Sequence, residues 1–371
     1  MSFKAPLSSP KIPATVVTGF LGSGKTTLIR HLIEQAGDKK IALIVNEFGD
    51  MGFDGEMISS CGNPNCTEDD VVELKNGCIC CTVADEFLPT MEMLLKREPR
   101  PEHIVIETSG LALPQPLVQA FQWPSVRASV TVDGVITIAD AAALSEGHYS
   151  TDEEAVVRQR EQDDSIDHEN PIDELFNDQL KCADMIVISK ADLIDEDAMA
   201  RVEAIIAEHR RDGVKTIHSA NGNVSTAVLL GLEAGAEEDL DSREAAHDHL
   251  HLHHDHDHDH DDDHDHDDDH DHHHHHHHHH DHDDFHSAVV APRAFASMDA
   301  LKQAVSDVLA QSGVLRVKGY AAIEGKKARV VVQAVGRRVE SWFDPGAETS
   351  TGLVVIGLKD FDLDRANKTL G

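Results

Sequence analysis

Three short segments carry residue types whose spacing can do chemistry on a nucleotide. Gly19-Phe-Leu-Gly22-Ser23-Gly24-Lys25-Thr26-Thr27 places Gly-Lys-Thr after a glycine and four intervening residues, with an apolar run before it and a helical pattern after it. Glycines let successive backbone N–H groups curl around phosphate oxygens, Lys25 reaches the β- and γ-phosphates, and the Thr26 hydroxyl can ligate Mg²⁺. His103-Ile-Val-Ile-Glu107-Thr-Ser-Gly110 ends an apolar run with a carboxylate and places a glycine three positions later. That order suits a carboxylate acting on Mg²⁺ or on the attacking water, followed by a backbone N–H that senses the γ-phosphate. Lys25, Glu107 and Gly110 are therefore the candidate catalytic groups. Ser189-Lys190-Ala191-Asp192 reads as a base-recognition loop, in which Asp192 accepts from the N1–H and N2–H₂ edge of guanine and the Lys190 stem lies over the base. Ser219 and Ala220 would add a second backbone contact to the base. Ser189 stands where an asparagine amide usually braces such a loop, so guanine preference is expected to be weakened by its loss.

A fourth segment is built for metal. Cys78, Cys80 and Cys81 put three sulfurs in four residues just before a helical pattern from about Val83 to Lys96. Thiolates suit Zn²⁺, Co²⁺ or Cu⁺, and a helix start lowers thiol pKa. Three ligands leave a structural zinc site incomplete. Cys61, Cys66 or a carboxylate that moves with nucleotide state could complete it. Asn46-Glu47-Phe-Gly49-Asp50 follows the second apolar strand, where a switch segment belongs, and it makes Glu47, Asp50 and Asp54 candidates for contact with Mg²⁺ and the second metal. The metal-ligand set is thus Cys78, Cys80, Cys81, Thr26, Glu47 and Asp54, with a redox dithiol or inert cysteines as alternatives. Cys182 sits in an apolar stretch and reads as core.

These segments need strand ends to hold them. Ile12 to Gly19, Lys40 to Glu47, His103 to Thr108, Val130 to Ala139 and Ala183 to Ser189 are short β-branched runs separated by helical patterns, which predicts βαβ units and a mostly parallel sheet. The fold class is α/β, a P-loop nucleotide-binding unit over residues 1–232. Residues 233–286 form an acidic linker, and 287–371 a small α+β unit. The latter has a helix after a Ser297 cap and strands at Val314 to Glu324, Ala328 to Trp342 and Leu353 to Leu358.

Composition narrows the partners. The 371 residues include 68 Asp plus Glu against 32 Lys plus Arg, a formal charge of −36 that would repel nucleic acid and anionic membranes. The opening residues lack an apolar signal core and no apolar run is long enough to span a bilayer, so a cytoplasmic protein is expected. Residues 247–286 contain 22 His and 15 Asp with no Lys or Arg, too little apolar surface to fold. Neutral imidazoles and carboxylates would hold several divalent ions weakly, as a reservoir near the cysteines; a solvated linker is the alternative.

Taken together, Gly19 to Thr27, Asn46-Glu-Phe-Gly49, Asn76-Gly-Cys-Ile-Cys-Cys81, Glu107-Thr-Ser-Gly-Leu-Ala-Leu-Pro114, the His-rich insert and Arg316-Val-Lys-Gly-Tyr320 resemble the CobW-type metallochaperone GTPases. The resemblance implies a GTPase that uses GTP and Mg²⁺ and carries Co²⁺ to an acceptor metalloenzyme such as the cobaltochelatase of cobalamin biosynthesis. A nucleotide- or metal-dependent homodimer is compatible with it. Zn²⁺ as the cargo is the nearest competitor, because thiolates bind Zn²⁺ more tightly than Co²⁺. A metal store built on the His/Asp tract is the reading from another class.

Overall fold

The computed structural model describes residues 11–37, 39–46, 71–74, 87–162, 171–232, 234–243, 285–344, 346, 350–359 and 361–371. Glu47, Asp50, Asp54, the cysteines from Cys61 to Cys81 and the His/Asp tract up to Asp284 lie outside these residues.

The first unit is a parallel sheet of seven strands: β1 (Ile12–Gly19), β2 (Ile41–Asn46), β3 (Val71–Leu74), β4 (His103–Glu107), β5 (Val130–Asp140), β6 (Met185–Ser189) and β7 (Lys215–His218). Their order is β3-β2-β4-β1-β5-β6-β7. Val16, Ile104 and Ile106 pack on one face, and Val17, Val105 and Ile138 on the other, so consecutive apolar residues are all buried. Helices on both faces require such continuous Val/Ile runs. After β1 the chain passes over β4 to reach β2, and later strands build outward on the other side through β5. The strand order therefore reverses at β1, and ligands bind at the carboxyl ends of strands at such a point. The helix Lys25–Gln35 follows directly, burying Leu28, Ile29, Leu32 and Ile33.

The second unit begins at β8 (Phe285–Val290), two residues before the folded unit that composition suggested, because Phe285 and His286 pair with Leu358 and Gly357. It continues through β9 (Ala294–Phe295), β10 (Val314–Ile323), β11 (Val330–Val335), β12 (Arg338–Phe343) and β13 (Gly352–Leu358). Antiparallel pairing runs in the order β12-β11-β10-β13-β8, with β9 beside the end of β10. The helix Met298–Leu309, capped by the Ser297 hydroxyl accepting from the Ala300 N–H at 3.1 Å, covers one face. Ala328 to Trp342 is not one strand: Gly336, at φ +54, turns the chain between β11 and β12. The other face meets the first unit. Leu315, Val335 and Ile356 join Leu229 and Leu230 in one apolar cluster, while Arg316 donates to the Leu230 carbonyl at 3.2 Å.

Candidate nucleotide site

The carboxyl ends of β1, β4, β5 and β6 open onto two adjoining cavities. The first, about 250 Å³, is lined by Gly22, Gly24, Lys25, Thr26, Glu107 and Gly110, together with Leu21, Thr27, Thr108, Ser109 and Gln159. Its floor needs glycine at two places. A Cβ at Gly19, where φ is +139, would lie 2.4 Å from the Ile138 carbonyl oxygen; one at Gly110 would lie 2.8 Å from the Leu21 nitrogen. The loop after β4 is thus pressed against the loop after β1. Gly24, at φ +99, directly precedes the helix, so the dipole of an 11-residue helix points into the cavity.

Lys25 folds back over its own loop, donating to the Gly19 carbonyl at 2.8 Å and the Phe20 carbonyl at 3.1 Å. Thr26 donates to Glu107 at 3.3 Å, and both line the cavity. Two hard oxygen donors on a buried wall fit Mg²⁺, which takes one or two protein oxygens and fills the rest with water and phosphate. Thr26 and Glu107 are the residues that would hold it, and when bound it neutralises charge on the β- and γ-oxygens.

The second cavity, about 200 Å³, shares Gly24 and Thr27 with the first and is lined by Ser189, Lys190, Asp192, Ser219 and Gly222. Ala220 does not line it; Asn221 and Gly222, both at positive φ, do. The loop is braced after all. The Ser189 hydroxyl, buried, lies 2.6 Å from the Ser23 carbonyl and 3.2 Å from that of Ala139, tying the base loop to the phosphate loop by a shorter side chain than asparagine. Lys190, at φ +55, reaches across to an ion pair with Asp140. Asp140 in turn accepts from the N–H groups of Ala142 and Ala143, so the lysine stem is anchored at its far end.

Sequence reasoning missed Asp140 and Gln159. Asp140 had a findable signal, an acidic residue closing a buried strand. Gln159 had none, since it sits mid-helix in Glu153–Gln162. Cys182 is buried, and desolvation pushes its thiol up to about 12, so it is core and no thiolate. Among the described residues no group of three or more His, Cys, Asp or Glu could hold a metal ion, and no helix is long and apolar enough to cross a membrane.

Residues 13–216 match the family model described as "CobW/HypB/UreG, nucleotide-binding domain", and residues 285–371 match "Cobalamin synthesis protein cobW C-terminal domain". The chain is 48% identical over 356 residues to the zinc chaperone CobW of Sinorhizobium sp., covering 95% of this chain and 94% of that one. The chain belongs to the CobW family. It is also 46% identical over 364 residues to the zinc chaperone CobW of Pseudomonas aeruginosa, 96% of this chain and 89% of that one. The zinc-regulated GTPase metalloprotein activator 1 of Schizosaccharomyces pombe matches at 33% over 198 residues, 53% of this chain and 43% of that one. Members of the family are P-loop GTPases, and this chain hydrolyses GTP to GDP and phosphate. Metal handling by the family makes it a metallochaperone GTPase.

Proposed function

We propose that the chain binds one divalent ion at Cys78, Cys80 and Cys81, holds it while GTP occupies the two cavities, and yields it to an acceptor metalloprotein after hydrolysis. The supporting observation is a single rung of the sheet. Asn46, the last residue of β2, is the register partner of Leu74, the last residue of β3. Glu47 is the next residue after Asn46, and Cys78 lies four residues after Leu74, hence within about 14 Å of it along an extended chain. Asn46 and Leu74, which precede these two segments in the chain, therefore end at one place on the sheet, at its carboxyl end, the same end as Glu107 on the neighbouring β4.

In this reading the backbone N–H groups of Gly22 to Thr26 and the Lys25 ammonium hold the phosphates, and Gly110 senses the γ-phosphate. Asp192, Lys190 and the 219–222 loop hold guanine. Loss of the γ-phosphate releases the segment after Asn46, and with it Glu47 or Asp54 as a metal ligand. Zn²⁺ is the favoured cargo: both relatives matched along their length are named zinc chaperones, and the thiolate order of affinities favours Zn²⁺ over Co²⁺. Co²⁺ delivered to a cobaltochelatase is the second reading, supported by the resemblance of the cysteine segment.

Titrating Zn²⁺ and Co²⁺ against the apo, GDP-bound and GTP-analogue-bound chain tests this. Affinity should be about 5- to 150-fold higher with the analogue than with GDP, and by reciprocity the metal should tighten analogue binding equally. Equal metal affinity in all three states, or a tight site that survives Cys80→Ser with Cys81→Ser, removes the proposal. Comparing the two metals at a competing chelator decides between zinc and cobalt.

A further inference from the structure

Gln159 points into the phosphate cavity from a helix that nucleotide motifs do not include. The residue is 7% exposed, its side-chain amide N–H donates to the Ser109 hydroxyl at 3.1 Å, and its side-chain carbonyl oxygen accepts no hydrogen bond among the described residues. An amide oxygen buried in that condition destabilises the fold unless something else satisfies it. Its location says what. A Cβ at Gly110 would lie 3.2 Å from this oxygen and 2.8 Å from the Leu21 nitrogen, so the acceptor stands where the γ-phosphate-sensing glycine meets the phosphate loop.

The placement is built rather than incidental. The Ser150 hydroxyl donates to the Leu21 carbonyl at 2.8 Å, and Tyr149 packs on Phe20 with ring centroids 5.8 Å apart. Asp152 caps the helix at the Ala155 N–H at 2.8 Å, and Val156 is buried in the cluster that contains Phe20. Residues 149–159 are thereby seated on the phosphate loop, with Gln159 as their contribution to the cavity.

We infer that Gln159 is a catalytic residue that orients the attacking water. Its carbonyl oxygen accepts a hydrogen bond from the water, and Ser109 fixes the amide so that this oxygen, not the NH₂, faces the γ-phosphorus. The water oxygen forms a bond to the γ-phosphorus as the bond to the β–γ bridging oxygen breaks. GDP departs with the electron pair, and the water's proton passes to a γ-phosphate oxygen, giving inorganic phosphate. The amide stays unprotonated throughout. This inference rests on GTP hydrolysis alone and is independent of the cargo.

Single-turnover GTP hydrolysis by full-length Gln159→Leu, Gln159→Glu and Ser109→Ala, with GDP affinity and Tm measured on each, tests it. Gln159→Leu should lose about 10²-fold in rate, the cost of a misplaced nucleophile, with GDP affinity within twofold of wild type. It should also lose the tight complex of GDP with aluminium fluoride, which needs the water's site. Gln159→Glu keeps an acceptor and can take a hydrogen bond from Ser109, so it should recover at least tenfold over Leu; Ser109→Ala should fall severalfold. A Leu variant within twofold of wild-type rate overturns the inference. So does Glu performing no better than Leu, or a fall in GDP affinity that matches the fall in rate, since each marks Gln159 as a wall of the loop only. A Leu variant that unfolds is replaced by Ser109→Ala, whose unchanged rate would likewise overturn it.

Discussion

The same strands end in opposite ways. At the carboxyl ends of β1, β4, β5 and β6, polar groups face a cleft, as Thr26, Glu107, Gln159 and Asp192 do. At the amino ends they face one another. His103 meets the Thr15 hydroxyl at 2.8 Å, and Asp133 accepts from the Gly231 N–H at 2.6 Å. Asp184 accepts from the Val135 N–H at 2.9 Å and pairs with Arg243, which also donates to the Cys182 carbonyl. Both ends bury polarity in a Val/Ile-rich sheet. One leaves its donors and acceptors for a ligand, the other satisfies most of them internally, and mutations at the two ends should separate function from stability.

Asp192→Asn should give the largest effect at the cleft end. A site built to hydrogen-bond guanine rejects adenine by about 10⁴-fold at most, and most of that ratio should disappear, measured as GTP over ATP affinity, while Tm stays put. An unchanged ratio would remove Asp192 from the base site. Arg243→Met should act at the other end. Arg243 is 1% exposed, and its removal leaves Asp184 with Arg211 as its remaining charge partner and the Cys182 carbonyl without this donor, which costs about 1–3 kcal/mol in urea unfolding. GTP turnover per folded molecule should not change; a parallel fall in turnover would break the separation.

The smallest effect is one of pH. Burial lowers the His103 pKa below its ordinary 6.5, with Asp133 opposing that shift in part. The unfolded chain therefore binds the proton more readily than the folded one between about pH 6.5 and the lowered folded value. Stability should fall as pH drops through that window, by at most about 1.4 kcal/mol per pH unit from this group, and reach a plateau below it. In His103→Gln the slope should be shallower, with chelator present to silence the His/Asp tract. Identical slopes would show that other groups carry the acid sensitivity.

Much of this was legible in the sequence. The helix from Lys25 to Gln35, the strand ends at Gly19, Glu107 and Ser189, and the Ser297 cap follow from local rules, in which a glycine, a cap or a β-branched run acts on its own neighbours. Gln159 follows from no local rule, and the acidic strand end at Asp140 does not name its partner. Their roles arise because a helix 50 residues after Ser109 in sequence is seated on the phosphate loop, and because Lys190 reaches back 50 residues to Asp140. The Ser189 substitution misled for the same reason: its brace is a carbonyl 166 residues away, whose position no spacing reveals. Gly336 was hidden differently, since alternation continues through it and only its positive φ marks the turn.

The sheet order sets which strands open most easily. The cysteines follow β3 in the sequence; it is four residues long and stands at one end of the order, with β2 as its only neighbour among the described residues. Detaching an interior strand breaks two ladders, whereas detaching β3, or β7 at the other end, breaks one, so in hydrogen-exchange terms these two edges are the least protected strands of the parallel sheet. A carrier must give its cargo to a competitor without unfolding. Peeling β3 leaves the ladders of β2 with β4 and of β4 with β1 in place, so the nucleotide cleft, two strands further in, keeps its walls while this edge opens.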